Sequence, residues 1–473
     1  MIKKPNLFSL VFQKKKNLLP KSSLPKRKSK TIPGPKSLKL TEALKRFECP
    51  QVTYAGDPYP VFLKKATACN VTDVDGNCFL DLTSCFGVMS LGHNPKSVAL
   101  AIRQQASQMI HGLGDIHPNE VKVLLAKVLS EITPGNLNQT IFSSTGAEAV
   151  ESALKTAMMY TKKPGVIAFT GAYHGLTYGA LNVTHRDDFR KPFMKQIGGF
   201  GSFAPFPDAR RDGNKATALA IKAVESIIRK ARRSKIPIGA IIVEPLQGRG
   251  GIMVPPSDFL PTLRALCDET GTLLIADEVF TGFGRTGTLF AVEKNAVVPD
   301  ILCLGKGMAS GFPISACIAS TKVMHAWGPS TGDAIHTSTF LGHPLGCAVA
   351  LAVIKEISEK RYVERSKTLG DFFRKELWKL KAKYPFISDI RGSGLMIGIE
   401  LEEPPSAYSS RKQKPAPATE KAKIFVAEAL RAGVILITSG PSHNVLSITP
   451  PFVISEKEID FCVKLFDKIF QKL

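Results

Sequence analysis

The chain has 473 residues, roughly three times the ~150 of a typical domain, which excludes a single small module and allows a sizeable core. Lys and Arg total 63 against 40 Asp and Glu, a formal net charge of +23 that by itself points to an anionic partner. A hydrophobic fraction of 44% with 22% charged residues excludes a wholly disordered or collagen-like chain.

The charge is unevenly placed. Residues 1–36 hold eleven Lys/Arg, five prolines and no acid, leaving 52 basic against 40 acidic residues, +12, on the rest. Such a segment buries too little apolar surface to offset its ordering entropy, so 1–36 is expected to be a disordered basic tail. Its apolar run Asn6 to Phe12 is followed by Gln13-Lys14-Lys15-Lys16, where a signal peptide would carry small residues. Organelle targeting by this tail stays open, although transit peptides are usually Arg-rich and it has one Arg. Much of the net charge therefore belongs to the tail, and no specific nucleic-acid partner is expected.

From Ser37 onward strands and helices alternate. Apolar, β-rich runs fall at Val166–Phe169, Ala240–Val243, Leu273–Ala276, Ile301–Leu304 and Ile314–Ala319, with helical stretches at Ala147–Thr161, Thr217–Arg232 and Asp258–Thr270. Buried strands between amphipathic helices predict an α/β domain with a largely parallel sheet. After His343 the pattern changes to helices over 343–359 and 364–383, then short strands and closing helices, which predicts a smaller α+β domain. The polar Pro/Ala/Lys segment 402–419 reads as a surface loop. The predicted organisation is a tail (1–36), an N-terminal segment joining the small domain (37–92), a large domain (93–335) and a C-terminal small domain (336–473).

The nine cysteines (Cys49, Cys69, Cys78, Cys85, Cys267, Cys303, Cys317, Cys347 and Cys462) are scattered, with no C-x-x-C and no metal-like Cys/His spacing. They read as reduced thiols in a cytoplasmic protein with no bound metal. The uncharged run 334–354 is continuously apolar only from Leu345 to Ile354, too short to span a bilayer.

Four sites carry candidate chemistry. Ser143-Ser144-Thr145-Gly146-Ala147-Glu148 sits between a strand and a helix start, where free N–H groups and the positive helix end suit a phosphate. Phe169-Thr170-Gly171-Ala172-Tyr173-His174-Gly175 sets an aromatic after a strand, available to stack on a flat ligand. Asp277 ends an apolar strand and asks for a cationic partner. Lys306, flanked by Gly305 and Gly307 at the end of Ile301–Leu304, has the placement of a desolvated, Schiff-base-forming amine. Taken singly, each has a plainer reading: an N-cap for 143–148 or Asp277, packing for Tyr173, a sheet-rim lysine for Lys306. Jointly they are a phosphate cradle, a stacking ring, a carboxylate for a pyridinium nitrogen and an aldehyde-trapping lysine, the set that pyridoxal 5′-phosphate (PLP) requires.

With Ser144 to Ala149, Tyr173-His174-Gly175, Glu244-Pro245-Leu246-Gln247-Gly248, Asp277 to Gly287, Lys306 and Ser338 to Pro344, the sequence resembles the class III aminotransferases, the ornithine, acetylornithine and 4-aminobutyrate group. The resemblance implies PLP-dependent transferase fold type I: a large, mainly parallel mixed-sheet domain and a smaller α+β domain built from both ends of the chain. It implies that Lys306 binds the cofactor and shuttles the proton, and that Asp277 keeps the pyridine nitrogen protonated. Tyr173 and Val279 would cover the two ring faces, Thr145 with the Gly146 and Ala147 amides would hold the phosphate, and His174 would belong to the same set. Thr339 would reach the neighbouring subunit's cofactor, implying a homodimer with shared sites. The reaction implied is ping-pong transfer of an amino group, from the terminal amine of an ω-amino acid or diamine, to a 2-oxo acid. An aminomutase or decarboxylating transaminase shares this scaffold, and a non-catalytic basic binding protein is the remote alternative.

The departures bear on substrate. Leu176 and Ser447 stand where such relatives carry the two arginines that clamp dicarboxylates, Arg249 stands where a glutamate is common, and Phe280 replaces a glutamine that bonds the cofactor's phenolic oxygen. The swap makes Arg249 a candidate substrate-carboxylate receptor, with an exposed rim arginine as the alternative.

Overall fold

The computed structural model describes residues 19–404 and 415–473. At its centre lies a seven-stranded sheet: β1 (Gln139–Ser143), β2 (Gly165–Phe169), β3 (Gly201–Ala204), β4 (Ile238–Val243), β5 (Leu273–Asp277), β6 (Ile301–Leu304) and β7 (Ser315–Ala319). Their spatial order is β1-β7-β6-β5-β4-β2-β3. All neighbours run parallel except β7, which is antiparallel to both β1 and β6.

Every residue of β2, β4, β5, β6 and β7 is buried, so each strand must be apolar on both faces. Successive side chains alternate sides. Val166, Ala168, Ala240 and Ile242 pack with Ala149, Val150 and Ala153 of the helix Gly146–Thr161. Ile167, Phe169, Ile241 and Val243 pack on the other face with Ala220 and Val224 of Ala216–Ala231 and with Leu260 and Leu263 of Phe259–Thr270. This sandwich leaves the carboxyl ends of β2, β4, β5 and β6 opening on one side, where residues 170–175, 244–248, 277–280 and 305–308 emerge. Open parallel sheets bind ligands at that edge.

Two four-stranded sheets complete the structure. In one, Leu63–Thr67, Asn70–Asp73 and Cys78–Asp81 form a meander whose last strand pairs in parallel with Val434–Ile435, joining the two ends of the chain. In the other, Ile387–Ser393, Met396–Leu401, Val445–Ile448 and Ile437–Ser439 are all antiparallel. Helices Pro344–Glu359 and Tyr362–Lys381 occur where two were predicted, within two residues at each end. The edge strand β3, Gly-Ser-Phe-Ala, had no apolar run to announce it.

The expected disordered tail needs correction. Residues 1–18 lie outside the described residues, but 19–36 pack along the first sheet. Lys26 exchanges both backbone hydrogen bonds with Cys78 (3.0 and 2.8 Å). The Asn77 amide oxygen accepts from the Lys28 and Ser29 N–H groups at 2.8 and 2.9 Å, and Asn70 accepts from the Ser23 N–H at 2.7 Å. Ile32 is buried with Val71, Phe79 and Leu430. Composition registers the charges but not a sheet edge and two buried asparagines that satisfy the backbone. Of the loop expected over 402–419, residues 405–414 are likewise outside the described residues. Its ends pair with each other through Glu402 and Pro417, and Ala418 is buried. Among the described residues no helix is long and apolar enough to cross a membrane, and the nine cysteines are unpaired.

Asn77→Ala should release the strap, since two backbone N–H groups lose their acceptor at a cost of about 1–3 kcal/mol. Hydrogen exchange at Lys28 and Ser29 reads it: protection should fall by about tenfold or more, and unchanged protection would show that other contacts hold the strap.

Candidate active site

The strand ends bring together most of the residues singled out in the sequence. After β1, Thr145 caps the helix Gly146–Thr161. Its hydroxyl accepts from the Glu148 N–H (3.3 Å), while the Glu148 carboxylate accepts from the Ser144 and Thr145 N–H groups (2.7 and 3.0 Å). This capping box uses the donors before the helix and leaves Gly146 and Ala147, whose N–H groups have no intrahelical acceptor, at the positive end of the dipole. Gly146 is required there, because a Cβ would lie 2.7 Å from Val279 Cγ1.

Asp277 ends β5 and is buried. Its Oδ2 pairs with His174 Nδ1 at 2.7 Å, and its Oδ1 accepts from the Val279 N–H at 3.0 Å. A carboxylate has about four lone-pair positions, so capacity remains for a further N–H donor. His174 Nε2 is buried with no hydrogen-bond partner among the described residues. On neighbouring β6 the chain turns at Lys306, whose φ of +39° throws its side chain off the sheet, with Nζ 4.2 Å from the Phe280 ring centroid. Burial pushes Lys306 down to about 8, reinforced by the positive charge of Arg249 and opposed by the carboxylates of Asp277 and Glu244.

Glu244 was not among the predicted site residues, although its motif had been noted. It is buried after β4, and burial raises its pKa. Its carboxylate accepts from the N–H groups of Tyr173 (3.0 Å) and Gly248 (2.9 Å), which ties the β2 and β4 loops together. The Tyr173 ring meets Phe189 edge-on at 5.7 Å.

Arg249 lies within this group. Its guanidinium carbon is 4.9 Å from the Tyr173 ring centroid, 5.5 Å from Phe189 and 5.6 Å from Phe86, an aromatic box of cation–π contacts. Burial lowers its pKa. No sequence signal marks Phe86 or Phe189 as its neighbours. Phe86 is half-exposed and ends a run of three successive left-handed residues, Ser84, Cys85 and Phe86. Leu176 is exposed, and Ser447 is buried in Val445–Ile448, opposite Gly398. Phe280 packs where a Cβ on Gly87 or Gly248 would meet it at 2.3 Å. Thr339 is not brought to this cluster within one chain. It is exposed, on a segment whose contacts run to Asp115, Asn119 and Lys122.

The donor set fits PLP on its own chemistry: a helix start that a Cβ would fill, a buried carboxylate with spare acceptor capacity, and an amine kept partly neutral near physiological pH. The chain matches the family described as aminotransferase class-III over residues 52–470. It is 37% identical over 428 residues to putrescine aminotransferase of Pectobacterium atrosepticum, covering 89% of this chain and 85% of the relative. It is 36% identical over 445 residues to 4-aminobutyrate aminotransferase of Mycobacterium leprae, covering 90% and 94%. A transaminase structure from the marine bacterium Virgibacillus superposes with a TM-score of 0.83 at 29% identity, covering 92% of this chain and 98% of that one. The fold is that of the type I PLP-dependent transferases. The chain belongs to the class III aminotransferases, and is a PLP-dependent transaminase.

In the cofactor-free protein, Lys306 should titrate near 8, readable as the pH dependence of its reductive methylation by formaldehyde; a midpoint above 10 would contradict the burial argument. The unfolded chain keeps this proton to about 10.5. The contribution of Lys306 to stability should therefore grow as pH rises from about 8 to about 10.5.

Proposed function

We propose that this transaminase takes the terminal amine of an ω-amino acid or diamine and passes its amino group to a 2-oxo acid bearing a single carboxylate, of the pyruvate type. The observation that carries this reading is the boxed Arg249, a half-buried cation among aromatic rings: Arg186, 5.7 Å from the Phe189 ring centroid, is already paired with Asp188 at 3.0 Å, and Leu176 and Ser447 supply no further charge. A desolvated guanidinium is stabilised by a carboxylate in bidentate geometry. The relatives named for putrescine and 4-aminobutyrate, and a 34% identical 5-aminovalerate aminotransferase of Pseudomonas aeruginosa, favour a terminal amine as donor.

When bound, PLP supplies an aldehyde for exchange with amines and a protonated ring that withdraws electrons. Lys306 would hold the group at its aldehyde carbon and, as a partly neutral amine, would carry a proton on one face of the site. Asp277, oriented by His174, would keep a proton on the ring nitrogen. Tyr173 and Val279 would cover the ring, and Thr145 with the Gly146 and Ala147 N–H groups would receive the phosphate. Phe280 sets its ring face against Lys306, 4.2 Å from Nζ. Thr339 serves the partner's site in a homodimer. Support for that assembly is the exposed apolar set Met109, Ile110, Leu113, Ile116, Val123 and Phe340, on or beside the Thr339 segment and its neighbours. The nine free cysteines support placing the enzyme in the cytoplasm.

Arg249→Ala should raise the KM for pyruvate by about 10–100-fold, the loss expected for a charge-assisted pair. Its KM for a diamine donor, which carries no carboxylate, should change by less than about twofold. An unchanged pyruvate KM would remove Arg249 from recognition. Lys306→Ala should abolish turnover, and release of carbon dioxide or an isomer from the amine alone would favour a decarboxylase or mutase instead.

A further inference from the structure

The turn that presents Arg249 is shaped by the C-terminal sheet. The N–H groups of Gly251 and Ile252 both donate to the Gly248 carbonyl (3.1 Å each), and both residues have left-handed backbones, Gly251 at φ +108° and Ile252 at +52°. A β-branched residue in that region is strained, and persists only where surrounding contacts over-determine it. Arg391, in Ile387–Ser393, supplies such contacts. Its Nε donates to the Gly251 and Ile252 carbonyls at 3.1 and 3.0 Å, and its Nη2 to the Gly251 carbonyl at 2.6 Å. The Arg249 carbonyl accepts from the Gly440 N–H at 3.0 Å and from Arg186 Nη1 at 3.4 Å. Approach is close enough that a Cβ on Gly251 would stand 3.3 Å from Arg391 Nη2 and from Gly440 Cα.

Arg391 is itself anchored. Its Nη1 pairs with Asp389 (2.9 Å) and with the buried Glu400 (2.5 Å). Glu400 also accepts from Arg210 (3.2 Å), which reaches Glu402 at 3.1 Å from the large domain. With all five guanidinium donors rigidly disposed, an arginine here can hold two carbonyls and two carboxylates at once, which a lysine cannot.

We propose that Arg391 is a positioning residue for acceptor recognition: it clamps the 249–252 turn to the C-terminal sheet and so holds the Arg249 guanidinium among Phe86, Tyr173 and Phe189. This rests on Arg249 as the carboxylate receptor. The small domain then governs how well a carboxylate-bearing acceptor binds, while Asp277, at the end of β5, and Lys306, just after β6, lie on elements outside the clamp.

Arg391→Lys keeps a charge for Glu400 but loses the fork on the carbonyls. In the holoenzyme it should raise the pyruvate KM, and the Kd of the unreactive carboxylate 2-methylpropanoate measured by calorimetry, by about 5–20-fold. The KM for butanal, an acceptor with no carboxylate, should move by less than about twofold. Equal shifts for pyruvate and butanal, or no shift in either, would overturn the proposal, because a general structural defect does not select for carboxylates. Should Arg391→Lys fail to fold, Glu400→Gln loosens the anchor alone and should show the same selectivity at about 2–5-fold; its absence there would equally overturn it. Arg249→Ala separates the two readings. If it leaves pyruvate binding intact, the receptor assignment fails and the clamp with it; if it weakens pyruvate binding while the Arg391 and Glu400 variants do not, the clamp alone fails.

Discussion

Burying a carboxylate at the end of an apolar strand is the constraint around which this molecule is arranged. Asp277 lies in a sheet whose strands are buried on both faces, and its charge is tolerable there only because His174 and the Val279 N–H face it. The same desolvation acts on Lys306 one strand away, but with the opposite consequence, since burial favours the neutral amine. A dry sheet edge thus keeps an anion beside an amine that readily gives up its proton. That combination requires helices on both sheet faces to exclude water, which the Ala-rich helix Gly146–Thr161 and the pair Ala216–Ala231 and Phe259–Thr270 provide.

Parallel topology adds the second condition. Because four neighbouring strands end on one side, four loops distant in sequence meet there, and small local devices join them. The Glu244 carboxylate ties the Tyr173 loop to Gly248, and Gly146 lets the helix start approach Val279. The groups proposed to react sit at strand ends, and the proposed acceptor contact, Arg249, sits on a turn braced from the C-terminal sheet, a division that would let specificity vary while the chemistry is preserved.

Much was legible in the sequence. The five buried runs and their helices could be read because two-sided burial demands continuous apolar strands and amphipathic helices, and the structure places them within about two residues. Thr145, Tyr173, Asp277 and Lys306 stand out in the sequence because each is chemically costly or geometrically special at a strand end, whereas His174 came only with the family resemblance. Residues 19–36 were misread because their order comes from partners some 40–50 residues away, Asn70 and Asn77, which composition does not register. Glu244 appeared only as part of a motif, since its work is done through backbone N–H groups.

The sequence by itself determined the α/β class and marked a lysine and a carboxylate at the ends of apolar strands, because periodicity and residue chemistry are local properties of the chain; Leu176 and Ser447 stood out only against the family pattern. Only the tertiary structure decided what surrounds Arg249. Phe86, Tyr173, Phe189 and the Arg391 clamp come from segments up to about 300 residues apart, and side chains so distant meet only once the sheets have packed.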